Sequence, residues 1–246
     1  MMKQKVMSLV CLICLAALCG TLRAETIHGN GKAITKEYQV TDFDEISFSG
    51  QAEFIYEQSE AAPSLTITID ENLLEYIEVK VSGKELKVYP KQEGMLKGSY
   101  QLRPTVFKIR GNSKQLEEVN SSGSGNFVTH GTLKSKELEL NLSGSGSIQI
   151  DALQAEELKC NVAGSGGVTV KGKVSEAKYN LAGSGQVIAR DCESEEVNGN
   201  IAGSGNLEVY ATRTLNGNIV GSGNIYYKGD PKVGTSCIGS GKVKKR

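Results

Sequence analysis

The sequence predicts an all-β protein, a parallel β-solenoid with about 18–21 residues per coil and Gly-Ser-Gly corners. Three observations predict it. Gly-Ser-Gly recurs seven times at near-constant spacing, apolar residues alternate on both sides of each copy, and no apolar period of 3.6 survives across a repeat. The composition agrees, since 29 glycines, four prolines, few aromatics and no Trp suit strands and tight turns better than packed helices.

In chain order, the first element is a secretory signal over residues 1–24. Lys3 and Lys5 give its positive start, Val6 to Leu18 is apolar apart from Ser8, and Leu22-Arg23-Ala24 offers the cut point. The apolar run is shorter than the roughly 20 residues that span a bilayer. The expectation is therefore an exported protein, in the periplasm, on the outer-membrane surface or secreted, and not an integral membrane protein once the signal is removed. Cys19 follows Leu18, where a lipoprotein site wants a small residue, so acylation there is not expected.

Removing the signal takes away Lys3, Lys5 and Arg23 and no acid, leaving 25 basic against 28 acidic side chains, a net −3. That balance does not attract nucleic acid, and Lys242, Lys244, Lys245 and Arg246 make only a short basic tail. Cys11, Cys14 and Cys19 leave with the signal, so Cys11-x-x-Cys14 is apolar filler and not a redox or zinc motif. Cys160, Cys192 and Cys237 remain, an odd number in an oxidising compartment. Cys160 and Cys237 read as small buried hydrophobes on strands, and Cys192 as an exposed residue in a variable turn, the one candidate for reactivity.

Residues 25–115 lack the repeat but still read as β, with strands at Glu45 to Glu57, Leu65 to Ile69, Ile77 to Val81, Leu86 to Tyr89 and Val106 to Ile109. Asp70-Glu71-Asn72-Leu73-Leu74 reads as a single helical turn. No Pro/Gly/Ser linker follows, and Ser47-Phe48-Ser49-Gly50-Gln51-Ala52 looks like a degenerate first copy of the repeat. Residues 25–246 are thus expected to form one solenoid domain, with 25–115 starting or capping it and 116–246 supplying seven coils.

The seven copies begin at Gly123, Gly144, Gly164, Gly183, Gly203, Gly221 and Gly239, at spacings of 21, 20, 19, 20, 18 and 18. Three residues before the first Gly stands Asn (Asn120, Asn141, Asn161, Asn180, Asn200 and Asn218), replaced by Ser236 in the last copy. An apolar and then a small residue follow it. Core-facing positions fall six and two before the Gly, and four and often six after it. Each repeat then gives two clear strands and a third, less regular side, stacked at roughly 4.8 Å. The corner needs positive φ angles that only Gly takes cheaply, its Ser is free to bond locally or to the next coil, and the Asn column is expected to share amide hydrogen bonds. A phosphate-cradling loop is excluded because no helix follows, and regular calcium sites because no Asp stands just after the glycines. Neither metal nor cofactor is expected.

Phe43-Asp44-Glu45-Ile46, Ser49-Gly50, Asp70-Glu71-Asn72-Leu73-Leu74-Glu75-Tyr76-Ile77 and the serial Gly-Ser-Gly copies together resemble the head GIN domain family, associated with auto-transporter adhesins and common in Bacteroidetes. The resemblance covers nearly all of the mature chain. It implies a right-handed parallel β-helix similar to the pectin-lyase superfold, the hand expected of parallel crossovers, and a role in adhesion. It carries no functional residues.

The expected function is accordingly a non-catalytic exported binding module that recognises a cell-surface glycan or protein. The alternatives are a polysaccharide-active enzyme of pectin-lyase-like fold and a structural envelope scaffold. Cleavage needs converging carboxylates, whereas Asp151, Asp191 and Asp230 read as solvated turn charges, Glu208 as a single outward acid, and His28 and His130 lie far apart. Tyr210, Tyr226 and Tyr227 in the last coils are the candidate ligand-binding residues, as a platform for a sugar ring. Flat parallel stacks are expected to offer broad surfaces without a concave pocket, and solenoid ends or faces to permit homo-oligomers.

Overall fold

A computed structural model describes residues 26–91 and 100–246, so the expected signal, its cleavage site and Cys19 lie outside the described residues. The chain is a stack of parallel coils built almost wholly of strands: β1 Thr26–His28, β2 Ala33–Tyr38, β3 Glu45–Gly50, β4 Glu53–Gln58, β5 Ser64–Asp70, β6 Ile77–Ser82, β7 Glu85–Pro90, β8 Gln101–Arg103, β9 Phe107–Ser113, β10 Glu118–Gly123, β11 Asn126–His130, β12 Leu133–Gly144, β13 Ser147–Gly164, β14 Gly167–Gly183, β15 Gln186–Gly203, β16 Asn206–Gly221, β17 Asn224–Lys228, β18 Lys232–Gly239 and β19 Lys242–Lys245. One 3-10 helix, Glu71–Tyr76, stands where the helical turn was expected. The sequence reading of one strand over Glu45 to Glu57 is corrected to two, because positive φ at Gly50 breaks the run.

Face A of the stack is the column of strand segments that end at the corner glycine. Gly50, Gly123, Gly144, Gly164, Gly183, Gly203, Gly221 and Gly239 pair in exact register down it. All eight have φ between 96° and 132°, in the left-handed region where a Cβ is costly. Face B is the column after the corner, running from β4 through β11 to β19. The second glycine of each tripeptide answers a different demand. A Cβ at Gly146 would lie 2.1 Å from the Gly125 carbonyl oxygen of the preceding coil, so close stacking and not φ forbids a side chain. In the degenerate first copy Ala52 takes this place, and among the described residues no further corner pairs with Gly50 on the side away from Gly123.

The third side is the less regular one, as expected, yet it is still strand: β13 to β16 run through it without a break. Leu133, Leu153, Gly172 and Cys192 stack there in register. Bulges between Ile150 and Leu153, Thr169 and Lys171, and Ala189 and Glu193 absorb the differences in coil length and blur the sequence period. Asp151 and Asp191 are accordingly exposed strand residues, not turn residues.

Residues 59–117 leave the first coil after β4 and return at β10. On the way β7 extends face A beyond β3, with β6 antiparallel to it, while β9 extends face B beyond β4, followed by antiparallel β5 and β2. The core starts there with Phe48, Phe54, Tyr56 and Phe127 in mutual contact and continues as aliphatic rows, including Leu138, Leu158, Val162 and Val197. A further inward row lies four residues before the corner: Leu140, Cys160, Tyr179, Gly199 and Gly217. It follows no size rule that a sequence reading would catch. Gly199 and Gly217 leave room there for Leu207 and Ile225.

Two cysteine assignments are corrected. Cys192 is fully buried, since it falls on an inward position of the third side. Cys237 is exposed: it pairs with Ile219, but β18 lies at the edge of the stack and is exposed along its whole length.

Candidate functional site

The outward side of face A carries a continuous groove of about 920 Å³, against the expectation that the stack would offer no concave surface. Strand alternation builds it. In each coil the residue two before the corner points into the core, so the residues three and one before it point out. Outward Asn and outward small residues, superposed coil on coil, become two rows. The small row is Ser122, Ser143, Ala163, Ala182 and Ala202, and the larger Val220 ends it.

The Asn row is a hydrogen-bonded ladder. Each Nδ2 donates to the Oδ1 of the preceding rung: Asn141 to Asn120 at 3.0 Å, Asn161 to Asn141 at 2.8 Å, Asn180 to Asn161 at 2.8 Å, Asn200 to Asn180 at 2.9 Å and Asn218 to Asn200 at 2.9 Å. Asn120 reaches Ser47 at 3.3 Å in the first coil. The spare N–H groups divide the ladder in two. Those of Asn120 and Asn141 go to Glu118, at 2.9 and 3.1 Å, and that of Asn161 goes to Glu139 at 3.2 Å. Those of Asn180, Asn200 and Asn218 have no side-chain partner among the described residues. Asn198 and Asn216, one strand step further out, start a second ladder at 3.1 Å.

Two charged residues line the groove, both at its amino-terminal end. Lys87 pairs with Glu85 at 2.8 Å, and Ser47 donates to the same carboxylate at 2.7 Å. Lys87, against partial desolvation and with help from Ser47, holds the Glu85 carboxyl below its ordinary range. Beyond the Asn row the charges cancel in a zigzag, in which Lys159 bridges Glu137 and Glu157, and Lys178 bridges Glu157 at 2.9 Å and Glu176 at 3.1 Å. Among the described residues no cluster of His, Cys, Asp or Glu has the geometry to hold a metal ion.

The corner serines take part through the backbone. Ser145 N–H donates to Gly123 C=O at 2.8 Å, and the same bond recurs at Ser165, Ser184, Ser204, Ser222 and Ser240. Their hydroxyls are exposed and make no side-chain hydrogen bond among the described residues.

Tyr210, Tyr226 and Tyr227 lie on face B, away from the groove. Tyr227 packs against the core. Lys228 Nζ sits 4.5 Å from the Tyr210 ring centre, and the Arg246 guanidinium 3.8 Å from that of Tyr226. Arg246 and Arg190 also share Glu208, at 3.2 and 3.4 Å. The Tyr210 and Tyr226 rings are therefore covered by cations and the Tyr227 ring leans on the core, so the three form no common flat platform. The Asn positions were visible in the sequence. The groove was not, although its one signal, a small residue before every corner up to Gly203, was.

Likeness to known proteins agrees with this geometry. A family model described as "Putative auto-transporter adhesin, head GIN domain" matches residues 42–231. A crystal structure described as a putative lipid binding protein from Parabacteroides distasonis ATCC 8503 is 44% identical, with a TM-score of 0.78 over 90% of this chain and 100% of its own. One described as a putative adhesin from Parabacteroides merdae ATCC 43184 is 34% identical, with a TM-score of 0.71 over 91% of this chain and 100% of its own. Another described as a putative adhesin, from Bacteroides fragilis NCTC 9343, is 25% identical, with a TM-score of 0.82 over 89% of this chain and 100% of its own. Among curated proteins none matches. With the family model spanning most of its coils, the chain belongs to the head GIN domain family.

Proposed function

We propose that residues 25–246 act as one exported, non-catalytic binding module of adhesive type, which takes an extended ligand along the face A groove. The observation that carries this reading is the continuity of the groove: its Asn row passes through six successive coils, and no charged side chain lines it beyond Glu85 and Lys87 at one end. A family of adhesins supports a binding role. The carboxylate that lines the groove, Glu85, is held below its ordinary range by Lys87 and is unsuited to donate a proton, and Glu45, its register neighbour, does not line the groove.

A second reading places an acyl chain in the same groove. The aliphatic character of its small row and the 44% identical relative described as lipid binding favour it.

One experiment addresses both. Residues 25–246 and the variant Ala182→Arg are incubated with immobilised polysaccharides, extracellular-matrix proteins and phosphatidylcholine vesicles, reading retention and product release. Saturable retention that Ala182→Arg removes is the expected result. Retention untouched by the variant moves the site elsewhere, and release of shortened glycan overturns the non-catalytic reading.

A further inference from the structure

Resting on the groove reading, we propose that the occupant is an uncharged, linear, β-linked polysaccharide lying parallel to the stacking axis and read about one sugar per coil. Asn180, Asn200 and Asn218 form its hydrogen-bonding row, with Asn198 and Asn216 alongside.

Hydrogen-bonding capacity points there first. An Asn amide carries two donors and two acceptor sites, and the ladder uses one of each. In the first three rungs carboxylates take the spare donor, but at Asn180, Asn200 and Asn218 a donor and an acceptor stay free on each exposed amide. A row of paired donors and acceptors matches sugar hydroxyls, which both give and accept. An acyl chain on the same rungs would strip water from these amides and return no hydrogen bond.

Spacing points the same way. Rungs recur at about 4.8 Å, close to the length one pyranose adds to an extended β-linked chain, so the contacts repeat without drifting out of phase over a few sugars. Ala182 and Ala202 place methyl groups beside the amides, where the C–H face of a ring can rest. Charge then selects among polymers. No charged side chain lines the groove beyond Glu85 and Lys87, which neutralise each other, so nothing there attracts a uronate or sulfated chain. Size argues against a protein partner confined to the groove. Two outward rows over six steps of about 4.8 Å offer far less than the roughly 800 Å² per partner that a stable protein interface buries.

The invariant Ser of the corner fits this surface. Positive φ requires the first flanking glycine and close stacking the second, yet the middle residue points to solvent and its hydroxyl has no side-chain partner among the described residues in seven copies out of seven. Ser184, Ser204 and Ser222 thus edge the same stretch with a third row of hydroxyls.

The test is calorimetric titration of residues 25–246 with cello-oligosaccharides and chito-oligosaccharides of two to eight sugars, alongside palmitate. Affinity is expected to rise with length to about four to six sugars and then level off, with little response to added salt. Ala202→Arg is expected to weaken it at least ten-fold with an unchanged melting temperature, and Tyr226→Ala to leave it alone. If palmitate binds, Ala202→Arg abolishes that binding and neither sugar series binds, the polysaccharide assignment falls while the groove reading stands. Binding that survives Ala202→Arg and disappears in Tyr226→Ala overturns both, and silence from all three probes overturns the polysaccharide assignment.

Discussion

At the scale of single residues, the two glycines of each corner do different work. The first is held at positive φ and the second is pressed against a carbonyl of the coil before. Gly164 meets both demands, with φ at 119° and the Gly144 oxygen 2.5 Å from where a Cβ would stand. Gly164→Val is therefore expected to cost about 3 kcal/mol or more in urea unfolding, and near-normal stability would contradict the corner geometry. The thiols give a second check. Burial pushes Cys160 and Cys192 up to about 12, whereas Cys237 is exposed. A thiol reagent is expected to titrate one group, at Cys237, in native protein spanning residues 25–246 and three in denaturant. The corners and the ladder were legible in the sequence because each rests on one residue type at a fixed offset. The cysteines were misjudged because their environments depend on bulges and on which strand forms the edge, and neither leaves a local mark.

At the scale of elements, Asp70 ties the amino-terminal strands to the stack. Its fully buried carboxylate accepts from Thr105 Oγ1 at 2.6 Å, Thr105 N at 2.7 Å and Gly31 N at 2.8 Å. Two residues on, Asn72 bonds Asn30 N at 2.9 Å and His28 O at 2.8 Å, so one short motif fixes the chain between β1 and β2. Desolvation raises the Asp70 pKa, but the bonds from Thr105, Gly31 and Val106 outweigh it and hold the group below its ordinary value. A depressed carboxylate stabilises the fold above its unfolded pKa, and the contribution is lost as pH falls through the folded one. Asp70→Asn is expected to cost roughly 2 kcal/mol at pH 7, and the gap to wild type is expected to close in acid. A gap that stays constant down to pH 2 would exclude the ionised role. The sequence showed Asp70 to Leu74 as a helical turn but not its latching role, because the groups it holds lie 35 to 44 positions away.

At the scale of the whole molecule, nearly all pairing is between adjacent coils. Gly164 and Gly183 occupy equivalent places one coil apart, so deleting residues 165–183 joins two equivalent corners and restores register. The shortened chain is expected to fold, keep its β-type circular dichroism and melt a few degrees lower, as stacked repeats do when one is lost. Failure to fold would mean that the stack depends on contacts beyond its neighbours. The parallel solenoid was legible because seven copies repeat the same pattern. The groove was not, because it exists only where separate coils superpose.

The bonds that join coils, in the strands and in the Asn ladder alike, run along the stacking axis, and this gives the molecule a mechanical character. Tension applied between residue 26 and residue 246 loads the coils in series, and each one that peels away frees its 18–21 residues, about 65 Å of slack at roughly 3.4 Å per residue. Pulled as a single molecule, the protein is expected to lengthen in near-equal steps at similar force. A tether that yields by increments can dissipate a sudden load while its remaining coils keep hold.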